Sequence, residues 1–476
     1  MFDARIRDHA RWNPRALAVI TPRERVTYAR FDSDIDRFGT ALAALGVHPG
    51  RGVVSLRLAS PYLICVATAA LARLGVASAP RDDDAADLHL VDGQPASTDD
   101  PRMLRLSPAW VAEALAAPHT PLPRLPADPG RVVRVNLSSG TTRVPRRVAL
   151  TAARIDGANT AQLCSFAAGR LGTWLAIPGP DTAAGFVLPV SAWSVGAAYA
   201  GGLPLETLAE WLEVLEPGLV CATPLQLRQL LAFLPPGYRP QPRWRFWTGG
   251  AAAPPALIQQ VRLRITPDVW INYGSTEASL NSVGPAFGEG DVPGQVGHPF
   301  TGCEIEVLGP DGVPVPAGDT GEIRIRSDRM STGYIDDPDA TARRFRDGWF
   351  HPGDLGRYLP DGRLVIEGRV DDRMNLAGGF KFMPERIEVP ALACPGVTDC
   401  AAFAVPDPQG FDQCWLAVAA APGFDRETLA AHLANYPGLP PPRFAWVDEV
   451  PRNAMGKVER AKLRDAVLAA LGGTPA

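Results

Sequence analysis

Residues 132–148 read Val-Val-Arg-Val-Asn-Leu-Ser-Ser-Gly-Thr-Thr-Arg-Val-Pro-Arg-Arg-Val. A largely apolar, β-branched run opens into a loop of hydroxyls and glycine, which predicts a buried strand ending in a turn that faces a ligand. The hydroxyls and free backbone N–H groups of such a loop can cradle phosphates, although a polar surface turn has the same composition.

The same grammar recurs on both sides. The apolar runs 172–178 (GTWLAIP), 218–224 (GLVCATP) and 243–250 (RWRFWTGG) read as buried strands ending in loops. Upstream, helix-like stretches at Phe31–Leu45 and Pro61–Leu74 alternate with short runs such as 50–58 (GRGVVSLRL), the pattern of βα units. From about 290 to 368 the chain becomes Gly- and Asp-punctuated short strands (GCEIEVLGPDGVPVPAGDTGEIRIRS, GRLVIEG), which predicts a β-rich subdomain. After Gly368-Arg-Val-Asp-Asp372 a segment of mixed pattern (CAAFAVPD, CWLAVAAAP, RETLAAHLANY) suffices for a small α+β domain. The expected fold is therefore α/β: a large layered α/β N-terminal domain with a β-rich subdomain over 1–370, and a small mobile α+β C-terminal domain over 371–476, hinged at Asp371.

The 476 residues carry a net charge of -4 with no long run of one sign, so neither a nucleic-acid nor a membrane partner is indicated. The seven cysteines never form a C-x-x-C pair; they read as small core residues in a reducing, cytoplasmic setting rather than as disulfides or metal ligands. No run reaches the ~18 apolar residues of a membrane span. Only Lys381, Lys457 and Lys462 are lysines among 47 basic residues, which makes each easy to follow. The pairs Arg146/Arg147 and Arg343/Arg344 read as solvated faces unless a motif claims them.

Four segments carry chemistry. The loop of Ser138, Ser139, Gly140, Thr141 and Thr142, with Arg146 beyond it, suits phosphate oxygens. Tyr273-Gly274-Ser-Thr276-Glu277 joins a glycine turn to a hydroxyl and a carboxylate: Glu277 can hold Mg²⁺ through hard oxygen ligands while Thr276 bonds a phosphate. Asp354, in WFHPGDLG, can accept two ribose hydroxyls, and Arg369 can donate to ribose or phosphate; paired β-turn caps are the alternative. Finally, Lys457, beside a glycine in PRNAMGKVER, is a compact ammonium that can neutralise an in-line transition state.

In this order and spacing the four segments resemble the adenylate-forming superfamily of acyl- and aryl-CoA synthetases, peptide-synthetase adenylation domains and luciferases, over nearly the whole chain. The resemblance implies ATP-dependent activation of a carboxylic acid to an acyl-AMP, then transfer to a thiol, with ATP, Mg²⁺ and CoA or phosphopantetheine as participants. It places Gly249, Gly250 and Ala251 with Tyr273 at the adenine, Asp354 and Arg369 at the ribose, Lys457 at the reacting oxygens, and Gly378 and Gly379 along the thiol channel. Where the family shows Gly-x-Pro-Lys-Gly, this chain has Arg143-Val-Pro-Arg146-Arg147, and it has Pro352 and Asn375 where threonine and lysine are usual. The lost glycines stiffen a loop that must move.

Asp181, Phe186, Trp247, Thr248, Asn272 and Leu280 are the expected walls of the acid pocket. The substrate expected is an aromatic or other small acyl acid, and the acceptor CoA or a separate acyl carrier protein. An aspartate at 181 also keeps an amino-acid substrate open, since relatives that activate amino acids bind the ammonium there. A degenerate nucleotide binder without catalysis is the reading from a different class.

Overall fold

The computed structural model describes residues 1–92, 100–138, 145–164, 172–286, 292–377, 380–407, 411–453 and 456–470. Its largest sheet has nine strands, in the order His298–Pro299, Ser279–Pro285, Val269–Ser275, Arg245–Thr248, Leu219–Ala222, Thr173–Ala176, Ala198–Ala200, Leu17–Ile20 and Arg25–Thr27. The six central strands are parallel; the outer ones pair antiparallel. The runs containing Trp174, Cys221 and Phe246 are neighbours at the centre, where apolar side chains are covered on both faces.

A six-stranded sheet holds Val132–Ser138 and Arg146–Thr151 at one side, next to Ala77–Ala79. Helices Tyr28–Ala44, Pro61–Leu74 and Ala183–Val195 contribute to one hydrophobic core shared with both sheets. Pro61–Leu74 is apolar nearly all round, as a helix buried between layers should be. It starts at Ser60, whose hydroxyl accepts from the Leu63 N–H, and stops at Gly75 in the left-handed conformation. The first of these helices begins at Tyr28, three residues before the expected Phe31, because Thr27 caps it.

The β-rich part is there as expected: Cys303–Leu308, Gly321–Ser327, Asp354–Tyr358 and Leu364–Arg369 form an antiparallel sheet with two short strands around Trp349. Beyond a short turn at Val370–Asp372 lies the small C-terminal domain. Strands Val397–Pro406, Asp412–Ala420 and Arg443–Trp446 pack with helices Glu385–Ala393, Arg426–Ala434 and Arg460–Ala470 around cores of their own. Six of the seven cysteines are buried; Cys164 is exposed and corrects the expectation that all sit in the core. Among the described residues no helix is long and apolar enough to cross a membrane.

Candidate active site

The carboxyl ends of the central parallel strands form the floor. Thr248 ends one strand and pairs with Ile271 of the next, so Gly249 and Gly250 lie beside Asn272 and Tyr273. A Cβ on Gly249 would stand 2.5 Å from the Asn272 Oδ1, so the glycine leaves room for the Asn272 amide as it is placed. The Thr248 hydroxyl is fully buried and has no partner among the described residues. Ala251 follows directly.

Strand Val269–Ser275 doubles back into Ser279–Pro285 with Gly274 opposite Leu280. A Cβ on Gly274 would lie 2.5 Å from the Ser279 carbonyl, which explains the glycine. The turn itself, Thr276 and Glu277, is held from below. Arg154 donates to the carbonyls of Thr276 (3.2 Å) and Glu277 (2.9 Å) and, through Nε, to that of Arg329 (2.7 Å). Burial pushes the Arg154 guanidinium down to about 10, with Glu277 opposing the shift. Glu277 is 8% exposed, and its Oε1 accepts from the Tyr334 hydroxyl at 3.0 Å.

Tyr334 also carries the guanidinium of Arg146 over its ring at 5.3 Å. Arg146 pairs with Asp337 at 3.0 Å and sits opposite Ser138 across the hairpin register. Ser138 is buried with an unpartnered hydroxyl among the described residues. Tyr334 therefore links the base of the proposed phosphate loop to the carboxylate proposed for the metal. Ser139, Gly140, Thr141 and Thr142, like Gly378 and Gly379, lie outside the described residues.

Asp354 and Arg369 are cross-strand partners. Arg369 donates from Nη1 to Asp354 Oδ1 at 3.0 Å and from Nη2 to the Pro352 carbonyl at 3.0 Å. The other carboxylate oxygen accepts from the Tyr273 hydroxyl at 2.5 Å. Burial and the nearby Asp354 hold the Tyr273 phenol well above its ordinary pKa, so it stays a donor. Each oxygen of Asp354 keeps one lone pair, so the carboxylate can accept two further hydrogen bonds, the number a ribose diol offers.

Lys457 is exposed, in a loop closed on itself: its N–H donates to Asn453 Oδ1 (3.1 Å) and its carbonyl accepts from the Asn453 N–H (2.9 Å). A Cβ on the preceding Gly456 would meet Leu225 Cβ at 3.4 Å and the Thr223 hydroxyl at 3.6 Å. Those residues open the helix Pro224–Phe233, directly after strand Leu219–Ala222. The lysine loop thus rests on the carboxyl edge of the same sheet that ends in Thr248 and Gly249.

The expected acid-pocket walls fall into two groups. Trp247, Thr248, Asn272 and Leu280 are on the adjacent strands just described. Asp181 and Phe186 line a cavity of about 180 Å³ with Arg81, Arg134 and Trp193. Asp181 is already engaged: it accepts from the Arg81 backbone N–H at 2.8 Å and pairs with the Arg81 Nε at 3.1 Å. Fully buried Arg134 lies over the Phe186 ring at 5.1 Å.

Arg154, Tyr334 and Arg134 had not been singled out. For the two arginines the only signal was a charge on an otherwise buried helix or strand face, with its target nowhere nearby in sequence; Tyr334, an uncharged loop residue, left no signal. Among the described residues no group of three or more His, Cys, Asp or Glu side chains could hold a metal alone. A single buried carboxylate such as Glu277 fits Mg²⁺ that takes its remaining ligands from phosphates and water.

Residues 84–335 match the family of AMP-binding enzymes. The chain is 30% identical to a feruloyl-CoA synthase of an Amycolatopsis species, covering 96% of both chains. It is 31% identical to sulfoacetate–CoA ligase of Cupriavidus necator over 77% of this chain and 74% of that one. Its fold superposes on ATP-bound MatB from Rhodopseudomonas palustris with a TM-score of 0.84 at 22% identity, covering 98% of each. The chain belongs to the AMP-binding enzyme family, within the adenylate-forming superfamily.

Proposed function

We propose that this AMP-binding enzyme is an acid–thiol ligase that joins an aromatic or other small acyl acid to coenzyme A at the expense of ATP. One observation carries the reading most directly. Asp354 is held ready by Tyr273 and Arg369 at a strand edge where the Thr248 hydroxyl and the Arg369 Nε are buried without partners among the described residues. Buried polar groups without partners are rare and costly, so a polar ligand is expected to complete them.

In the first half-reaction a carboxylate oxygen attacks the α-phosphorus of ATP, and the bond to the bridging oxygen breaks so that pyrophosphate leaves with that electron pair. Ser138 to Thr142 and Arg146 hold the phosphates; Gly249, Gly250, Ala251, Tyr273 and Gly274 border the adenine; Asp354 and Arg369 hold the ribose. Thr276 contacts phosphate, and Glu277 would hold Mg²⁺, which supplies charge neutralisation to the phosphates. Lys457 offsets the charge that builds in line. In the second half-reaction the thiol sulfur attacks the acyl carbonyl, AMP departs and the thiol proton passes to solvent. Residues 371–476 turn about Asp371 between the two steps, bringing Gly378 and Gly379 to the thiol.

The ion pair of Asp181 with Arg81 argues against an amino-acid substrate, because an ammonium would have to displace a guanidinium already in place. Relatives named for feruloyl and 3-hydroxybenzoate substrates support an aryl acid. ATP–pyrophosphate exchange across a panel of aryl, short-chain and amino acids tests the reading, followed by AMP release on adding CoA or a phosphopantetheinylated carrier protein. Exchange with no acid would leave a nucleotide binder; release only with the carrier protein would replace coenzyme A as acceptor.

A further inference from the structure

Arg146 of one arginine pair and both members of the other, about two hundred residues away, line one cavity of about 420 Å³ with Arg346, Glu322 and Asp371; Arg146 is paired there with Asp337, and Arg147 points elsewhere. Arg343 and Arg346 are exposed and have no carboxylate within ion-pair distance among the described residues. Arg344 is shared: Nη2 reaches Asp371 at 3.4 Å and Nη1 donates to the His351 carbonyl at 3.2 Å. A Cβ on Gly353, which has φ +79°, would come within 2.4 Å of that Nη1, so the glycine leaves room for the guanidinium. His351 in the wall is buried and pushed down to about 4, first by burial and then by Arg346, Arg324 and Arg344, with Asp347 opposing.

We propose that this cavity is a binding site for inorganic pyrophosphate, which Arg343, Arg344 and Arg346 receive from the phosphate loop by way of Arg146. The proposal rests on the acyl-AMP reading above, since that reaction releases pyrophosphate. Arg146 belongs to both places: it stands opposite Ser138 at the base of the loop and forms a wall of the cavity. Guanidinium forks match phosphate oxygens in bidentate geometry, and two of the four here, Arg343 and Arg346, have no carboxylate within ion-pair distance among the described residues, while Arg146 and Arg344 are paired with Asp337 and Asp371. The lining contains no Phe, Tyr or Trp on which a base could stack, which favours a bare phosphate anion over a nucleotide or the adenosine end of coenzyme A. Because Arg344 is also the partner of the hinge residue Asp371, bound pyrophosphate competes for the charge that holds the hinge.

The test is calorimetric titration of inorganic pyrophosphate with Mg²⁺ into the full-length protein, alone and saturated with AMP, for the wild type and for the Arg343→Glu/Arg346→Glu double variant. Both side chains are exposed, so the fold should survive; an unchanged AMP affinity checks this. The expected result is one pyrophosphate site that persists with AMP bound and weakens at least tenfold in the double variant. Equal pyrophosphate affinity in the two proteins overturns the site. So does sulfate binding to the wild type as tightly as pyrophosphate, which would make the cavity an unspecific basic patch. If AMP itself fails to bind, the acyl-AMP reading is what suffers, and the titration without AMP still decides on the cavity.

Discussion

Arg460 opens the last helix, three residues after Lys457, and one guanidinium there holds several parts of the C-terminal domain together. It donates to Glu388 at 2.5 Å, to the Ala402 carbonyl at 2.7 Å, to Glu385 at 3.3 Å and to Asp372, beside the hinge, at 3.3 Å. Burial alone would lower its pKa, but Glu388, Glu385 and Asp372 together raise it. Arg460→Met keeps most of the volume and removes the charge. Breaking a buried ion pair from one side costs about 3–5 kcal/mol; with Glu385 25% and Glu388 13% exposed, the lower end applies, about 3 kcal/mol. That equals roughly a hundredfold in an opening equilibrium. The effect should depend on pH. Glu385 is already pushed up to about 7, first by burial and then by Glu388, and without Arg460, which opposes the shift, it would take a proton sooner. A native state that binds more protons than the unfolded chain loses stability as pH rises, so the variant should lose most at pH 8 and less at pH 5.5. Hydrogen exchange of strand Val397–Pro406, corrected for intrinsic rates at each pH, reads this directly. Equal protection in variant and wild type at pH 8, or an equal loss at both pH values, would refute the electrostatic account.

Glu385→Gln should stabilise the C-terminal domain at pH 8 and flatten the decline in stability that the raised pKa predicts between about 4.5 and 7; urea titrations at three pH values check it. Tyr273→Phe removes the donor that aims Asp354, a hydrogen bond to a charged group worth about 1.5–3 kcal/mol, so kcat/KM for ATP should fall roughly ten- to hundredfold with the fold intact; an unchanged value would take Asp354 out of nucleotide binding. Lys457→Ala should lower adenylation on the order of 10²-fold or more in kcat while ATP binding persists, and pyrophosphate exchange near the wild-type rate would disqualify this lysine. Asp371→Pro should spare pyrophosphate exchange and block thioester formation, because fixing φ stiffens the turn at Val370–Asp372; equal loss of both half-reactions would count against a hinge there.

Much of the fold was legible because burial on both faces restricts residue types. The runs around Trp174, Cys221 and Phe246 are short, largely apolar and end in proline or glycine, and they lie side by side as parallel strands. The helix-like stretch Pro61–Leu74 is a helix with those bounds, set by the caps Ser60 and Gly75. Thr276, Glu277, Asp354, Arg369 and Lys457 stood out for a related reason: few side chains can meet a phosphate, a hard cation or a ribose. Their supports left no comparable mark. Arg154 holds the Thr276–Glu277 turn by donating to backbone carbonyls more than a hundred positions away, and every residue has a carbonyl. Asp181 kept an amino-acid substrate open because Arg81, which engages it, is a hundred positions upstream.

The two Arg-Arg pairs show why composition alone cannot decide such cases. Arg146 and Arg147 are consecutive residues of a strand, so their side chains leave on opposite faces. Arg146 goes to Asp337 and the Tyr334 ring; Arg147 goes to Asp83 and Asp336. Arg343 and Arg344 end a helix, where successive side chains point about 100° apart: Arg344 reaches Asp371 and Arg343 meets no carboxylate among the described residues. Two dipeptides that each read as a single basic patch therefore distribute four charges over three carboxylate-bearing segments and one open cavity. What each arginine does follows from the element that carries it and from the partner that the fold brings to it, and the sequence reading had neither: it put Arg146 and Arg147 in a loop and Arg343 and Arg344 among short strands, where the fold has a strand and a helix.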